Sequence, residues 1–281
     1  ERFDLAECCR LVERHRVTLL PVVPPVLAAL VQSPDAARTD WSSLRHLMIG
    51  AAPVPPELAR RFREQTGVKV VQGYGLTEAG PITHLNPVYD DDLLTVDTGG
   101  LPCSDTEQKI VDLETGERTL ATGEVGEVCV RGPQLMLGYW NAPEATAAAL
   151  RGGWLYTGDI GRLDALGYLT ITDRKKEMIK YKGFGIAPAE IEALLFEHEG
   201  VADVGVIGKP DAEAGEVPKA FVVRKDPALT AEALLDWARG RLAGYKTLHE
   251  IALVDAIPKT ASGKILRRVL KEEERRRLGL G

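Results

Sequence analysis

The first 95 residues alternate β-branched or apolar runs with amphipathic stretches, and this alternation limits the possible fold more than any other feature of the chain. Leu44–Ile49 and Val68–Val71 read as strands. Val17–Val23, bounded by Pro21, Pro24 and Pro25, reads as a short buried strand. Between them lie helical signals. Asp4 and Glu7 have capping-box spacing ahead of a helix through Arg16. Val26–Val31 is helical, and Pro55-Pro56 opens a helix that carries Leu58 and Phe62 on one face and stops at Gly67. Strands separated by helices predict a parallel sheet, with ligands at the carboxyl ends of its strands. Gly50 and Gly73 fall at two such ends.

The pattern then changes twice. In residues 96–172, short strands (Gln108–Val111, Val125–Val130, Tyr168–Ile171) are separated by glycine turns, as in a small barrel or distorted sheet. Residues 173–281 read as a separate α+β unit. A helix runs from near Pro188 towards Gly200, and Val204–Ile207, Ala220–Val223 and Ile251–Val254 are strands. A Thr230-capped helix carries Leu234, Leu235, Trp237 and Leu242, and a charged helix follows Lys264. The expected fold class is therefore α/β plus α+β: a parallel-sheet α/β segment (1–95), a small β-barrel-like segment (96–172) and a separate C-terminal α+β domain (173–281).

Composition excludes several classes. The 281 residues are 44% hydrophobic and 27% charged, which is ordinary for a globular protein. The net charge of -6 gives no support to a nucleic-acid partner. No apolar run approaches the length of a membrane span. Cys8, Cys9, Cys103 and Cys129 lack zinc-ligand spacing; a reducing, cytoplasmic setting fits them, and Cys8-Cys9 read as buried small hydrophobes. Glu272–Glu274 followed by Arg275–Arg277 reads as a solvated helix end. The chain starts at Glu1 in a helical pattern, as if cut from something longer.

Four segments can carry chemistry. Gly73-Tyr74-Gly75-Leu76-Thr77-Glu78 offers an aromatic ring for a base, a hydroxyl for a phosphate and a carboxylate for Mg²⁺; an ordinary strand-to-loop turn with an exposed acid is the other reading. Asp159, after Gly158, can accept the hydroxyls of a ribose or simply mark a Gly-Asp turn. In Asp173–Lys180, Arg174 can reach a ribose or phosphate with its planar fork, and Lys175, Lys176 and Lys180 can be solvated charges. Gly183 and Gly185 allow a loop close to a ligand. Pro258–Lys264 is not a Walker A loop, yet a Ser-Gly turn holding one lysine ahead of a helix can swing a cation onto a phosphate.

Order and joint presence make these signals specific. With Gly50-Ala51-Ala52-Pro53, Gln72–Glu78, Gly138-Tyr139-Trp140-Asn141, Pro143–Thr146, Trp154–Asp159, Asp173–Lys180, Lys182-Gly183-Phe184 and Pro258–Lys264, the chain resembles the acyl-adenylate-forming enzymes over essentially its whole length. Within them, Ile179–Phe184 followed by Ala187–Glu190 is similar to the acyl- and aryl-CoA ligases.

The resemblance implies that a carboxylic acid is activated with ATP and Mg²⁺ to an acyl-adenylate, then passed to coenzyme A. It implies that Gly50, Ala51 and Ala52 line the adenine and acyl pocket, that Tyr74 flanks the adenine, and that Gly73, Gly75 and Gly183 are among the cofactor-binding residues. Thr77 contacts the α-phosphate, and Glu78 holds Mg²⁺. Asp159 binds the ribose hydroxyls, with Arg174 assisting. Lys264 bridges carboxylate and α-phosphate during adenylation. The terminal domain then turns about a charged, solvated hinge near Asp173–Lys176 and brings the Lys180–Gly183 loop to the thioester site. Two departures stand out: Gly185 replaces a glutamine common in such ligases, and the Ser/Thr/Gly-rich phosphate loop is absent, as expected of a C-terminal half. Two other readings stay open: a non-catalytic AMP- or adenylate-binding remnant or interaction module, and a peptide-synthetase-type adenylation domain. Neither the acid nor the oligomeric state is legible.

Overall fold

The structure is a computed structural model that describes residues 3–52, 54–89, 97–242, 244–260 and 263–280. The chain divides into two compact units. The first runs to Thr157 and takes in Gly161–Ile171; the second is Gly158–Ile160 with the chain from Thr172 onwards.

The first unit opens with α1 (Leu5–His15), where Asp4 caps the helix by accepting from the Glu7 amide. Next come β1 (Leu19–Val22), α2 (Pro24–Gln32), α3 (Pro34–Arg38), β2 (His46–Ile49), α4 (Pro56–Thr66) and β3 (Lys69–Gly75). α4 starts on Pro56 at its first turn and ends on Gly67, whose φ of 74° is the left-handed cap a helix terminus favours. β1, β2 and β3 are mutually parallel, as the alternation predicts. The sheet then turns mixed. β4 (Ile82–Leu85) and β5 (Leu101–Pro102) add antiparallel, giving the order β1-β2-β3-β4-β5. Phe62, Leu27, Leu30 and Leu47 from α4, α2 and β2 form its core.

β1 lies at the edge of the sheet among the described residues; Leu19 is 47% exposed, while Val17, Leu20 and Val22 are half-buried and pack against the core, so the expected buried strand is only partly covered. Gly73 does not end its strand. β3 continues to Gly75, because two glycines let β4 lie against it.

A second, half-barrel-like sheet is built from β6 (Glu107–Val111), β7 (Gly126–Arg131), β8 (Leu150–Arg151), β9 (Trp154–Leu163) and β10 (Leu169–Arg174), in the order β10-β9-β7-β6 with β8 on β9. α5 (Pro143–Ala149) precedes β8. Thr157, Gly158 and Asp159 therefore lie inside a ten-residue strand, not in a turn, with Gly158 at φ 69°.

In the second unit, β11 (Ile179–Tyr181) and β12 (Phe184–Ile186) form a hairpin. α6 (Pro188–Phe196) follows, then the long antiparallel pair β13 (Val201–Asp211) and β14 (Gly215–Arg224), α7 (Ala231–Ala238), β15 (Glu250–Leu253) and α8 (Arg267–Arg277). Thr230 caps α7 as expected, accepting from the Ala233 amide, but the helix ends before Leu242. Ile179, Ile186, Ile191, Val204 and Leu234 make its core.

The charged end of α8 is only partly solvated. Glu274 is 2% exposed and accepts from the equally buried Lys219 at 2.6 Å. Lys219 also pairs with Glu250, its register partner on β15, at 2.8 Å. Of the vicinal cysteines, Cys9 is buried and Cys8 is not fully so. No helix among the described residues is long and apolar enough to cross a membrane.

Candidate functional site

In the first unit, the carboxyl end of β2 leads into Gly50, Ala51 and Ala52. Ala51 has φ 74°, a left-handed conformation that costs a non-glycine residue about 1 kcal/mol or more and that concentrates at functional sites. Pro53 lies outside the described residues.

Gly73, Tyr74 and Gly75 stay in β3 for a steric reason. A Cβ on Gly75 would sit 1.9 Å from the Pro81 carbonyl oxygen, and one on Gly73 would sit 3.0 Å from that of His84. Tyr74 faces Gly99, where an added Cβ would meet its own Cβ at 2.9 Å, and its ring lies 5.6 Å from that of His84. Thr77, Glu78 and Ala79 form one 3-10 turn straight after the strand. The Thr77 side chain is exposed and makes no hydrogen bond among the described residues.

His84 is fully buried and held neutral. Gln108 donates through Nε2 to the Gly167 carbonyl, which turns its Oε1 towards His84. His84 therefore carries its proton on Nε2, donating to that oxygen at 2.8 Å, and Nδ1 accepts from the Thr83 hydroxyl at 2.9 Å. Burial, only partly opposed by the Gln108 bond, lowers its pKa to about 4.

Glu78 is the acid of this turn. Its backbone carbonyl accepts from the Met136 amide at 2.8 Å, and Oε1 accepts from the Tyr139 hydroxyl at 2.9 Å. Oε2 has no partner among the described residues. Burial first, then the bond to Glu78, raises the phenol's pKa and keeps it a donor. Among the described residues no three acidic, histidine or cysteine side chains cluster as a metal cage. A single carboxylate with one open oxygen suits Mg²⁺, which is commonly held by one or two carboxylates together with substrate phosphates. Sequence reasoning quoted Tyr139 as a motif residue and gave it no task; 61 residues separate it from Glu78, beyond any local pattern.

The second unit brings Asp159 and Arg174 together. Arg174 Nε donates to Asp159 Oδ1 at 2.7 Å; the acid is nearly buried and the arginine half exposed. Any ribose at Asp159 shares it with this guanidinium. Arg174, Lys175 and Lys176 are exposed, as a solvated hinge requires, but Asp173 is not. It is 7% exposed, and its two oxygens accept from the Arg174 and Ala189 amides. Burial raises its pKa despite these bonds.

The expected loop at Gly183 is a tight hairpin. Tyr181 pairs with Phe184, and the two residues between them, Lys182 and Gly183, have φ 48° and 85°. Positive φ at both positions is the signature of a type I′ turn. Lys180 is exposed on β11, with its amide donating to Glu216.

Lys264 is exposed, and its ammonium has no partner among the described residues. Its turn is pinned from both sides. The Lys264 amide donates to the Thr260 hydroxyl, and Lys259 bridges to Ile265. Lys259 Nζ pairs with Asp203 at 2.7 Å, while Arg267 takes Glu192 with one nitrogen on both oxygens, at 2.8 and 2.7 Å. Ala261 and Ser262 lie outside the described residues.

Comparison with known proteins identifies the family. The model of the AMP-binding enzyme matches residues 1–140, and that of the AMP-binding enzyme C-terminal domain matches residues 190–264. A 4-coumarate–CoA ligase of Pinus taeda is 43% identical over 275 residues, covering 96% of this chain and 51% of the relative. A long-chain-fatty-acid–CoA ligase of Bacillus subtilis is 44% identical over 274 residues, covering 97% and 48%. Among solved structures, ATP-bound MatB from Rhodopseudomonas palustris superposes with TM-score 0.86 at 32% identity, covering 97% of this chain and 53% of that one. The o-succinylbenzoate CoA synthetase of Bacillus subtilis with AMP gives 0.81 at 34%, covering 96% and 54%. The chain spans about half the length of the curated relatives it matches. With both family models laid along one chain in this order, these residues belong to the AMP-binding, adenylate-forming enzymes.

Proposed function

We propose that this chain supplies the nucleotide-binding strand and the lysine-bearing terminal unit of an AMP-forming acid–coenzyme A ligase. The observation that carries the reading is Lys264, an exposed ammonium on a turn held at both ends by ion pairs, in a member of the AMP-binding family. A carboxylate attacking an anionic α-phosphate meets charge repulsion, and a positioned cation offsets it as the transition state forms.

In this reading a carboxylate oxygen bonds to the α-phosphorus of ATP, the bond to the β-phosphate breaks, and pyrophosphate leaves. Tyr74 flanks the adenine and Thr77 contacts the α-phosphate. Asp159 and Arg174 hold the ribose, and Gly50–Ala52 line the adenine and acyl pocket. Glu78 holds Mg²⁺, which supplies charge neutralisation at the phosphates when bound. The thiol of coenzyme A then loses its proton to solvent, its sulfur bonds to the acyl carbon, the bond from that carbon to the phosphate oxygen breaks, and AMP leaves with the electron pair. For this second step residues 173–281 turn about Asp173–Lys176 and present Lys180 and Gly183. The exposed side chains of Arg174–Lys176 suit such a movement.

The test is acid-dependent ATP–pyrophosphate exchange over a panel of aryl and aliphatic acids, followed by thioester formation from supplied acyl-adenylate. Lys264→Ala is expected to lower exchange by on the order of a hundredfold or more while thioester formation persists. Equal loss of both half-reactions overturns the division of labour. Because the chain spans about half of its relatives, a non-catalytic nucleotide-binding role is the second reading. AMP binding without any acid-dependent exchange selects it.

A further inference from the structure

We infer that Tyr139 is a positioning residue for the divalent cation that accompanies the nucleotide: its phenol holds one oxygen of Glu78 and leaves the other to the metal. This rests on the reading of Glu78 as the metal-binding carboxylate.

Glu78 sits on a single 3-10 turn, a short platform for an acid that must meet octahedral geometry. Left alone, its side chain would sample several rotamers, and ordering them would weaken metal binding. The structure removes that freedom from 61 residues away. The Met136 amide grips the Glu78 carbonyl at 2.8 Å and the Tyr139 hydroxyl grips Oε1 at 2.9 Å, so one segment holds both backbone and carboxylate.

That segment is itself braced. The Tyr139 amide donates to the Thr146 hydroxyl at 2.8 Å, and the same hydroxyl donates to the Ala142 carbonyl at 2.9 Å, at the start of α5. Gly138 makes the approach possible, since a Cβ there would lie 2.8 Å from the Thr146 methyl. Burial does not hold this loop in place. Leu137 and Trp140, on either side, are 102% and 92% exposed. Nor does the phenol need a protein partner, because Tyr139 is 39% exposed and water could serve it. The bond to Glu78 is thus explained by what it does to the carboxylate. Donors to ligating carboxylates orient them, and losing one commonly costs about ten-fold or more in metal affinity.

The experiment titrates preformed Mn²⁺–ATP, as a paramagnetic substitute for Mg²⁺–ATP, into the chain and reads protein-bound metal by the enhancement of water proton relaxation over the same titration without protein. AMP affinity without divalent cation is measured by calorimetry in parallel. Tyr139→Phe is expected to weaken Mn²⁺–ATP binding about ten-fold and leave metal-free AMP affinity unchanged. Unchanged Mn²⁺–ATP affinity in Tyr139→Phe, beside a clear loss in Glu78→Gln, overturns the role of Tyr139 alone. An equal fall in AMP affinity in Tyr139→Phe overturns it too, since the damage is then structural. Unchanged Mn²⁺–ATP affinity in Glu78→Gln, or no Mn²⁺–ATP binding by the unsubstituted chain, overturns the reading of Glu78 as well.

Discussion

The two units hold their candidate site residues by different physics. Around Tyr74 and Glu78 the brace is neutral and steric: glycines that admit backbone, an uncharged buried histidine and a phenol. Around Lys264 the brace is ionic, with Lys259 on Asp203 and Arg267 on Glu192, and further along α8 Lys219 is buried between Glu274 and Glu250. The contrast suits the tasks proposed for them. A surface for an aromatic base needs shape, which close packing fixes. A segment that delivers one ammonium to an anion needs its other cations already paired, so that only one remains to engage the ligand.

The largest expected effect breaks the steric side. Gly75→Ala forces a methyl against the Pro81 carbonyl, and a loss of about 5 kcal/mol is expected, read as a collapse of the urea midpoint. A fall under 1 kcal/mol would show that β4 yields easily and that shape is not what fixes this end.

On the ionic side, Lys219→Met leaves Glu274 buried beside Arg277 alone, and about 4 kcal/mol of stability should go. The double variant Lys219→Met with Glu274→Leu should recover most of it in the same denaturation experiment, because a paired apolar replacement leaves no stranded charge. Failure to recover would mean that Glu250 or Arg277 depends on Lys219 more than the geometry indicates.

The smallest of the three sharpens the comparison through pH. His84 is neutral when folded, with its pKa at about 4, whereas an exposed histidine titrates near 6.5. Between these values the unfolded chain binds more protons than the folded one, so stability falls as pH drops through the window. The loss reaches about 3 kcal/mol near pH 4. Denaturant titrations at pH 7 and pH 4.5 should show the fall, and His84→Gln should flatten it.

Much of the fold was legible because local rules and tertiary packing agree. The Asp4 and Thr230 caps, the Pro56 start and Gly67 end of α4, and the parallel run of β1–β3 all follow from residue type and spacing. β9 was not legible as one strand. Gly158 and Gly161 interrupt its pattern, and the turn-like Thr157-Gly158-Asp159 is carried through by pairing across the sheet. Glu274 was hidden for a different reason. In a run of three acids and three arginines each looks solvated, and only the helix phase and a lysine 55 residues away select the buried one. The candidate site was read from the sequence as a set of residues, and its contacts were not legible there. The grip of Tyr139 on Glu78 and the pairing of Arg174 with Asp159 depend on which strands and turns meet.

One consequence attaches to the hairpin that carries Lys182 and Gly183. A connection of two residues leaves no slack, and its backbone angles suit few residues other than glycine at the second position. Lys180 sits on the rung formed with Gly185, so its backbone cannot drift independently of the sheet. If the proposed rotation occurs, the hairpin travels with its sheet as a body, and a spin label at position 182 would report a swing of the whole lobe, not the wagging of a tip.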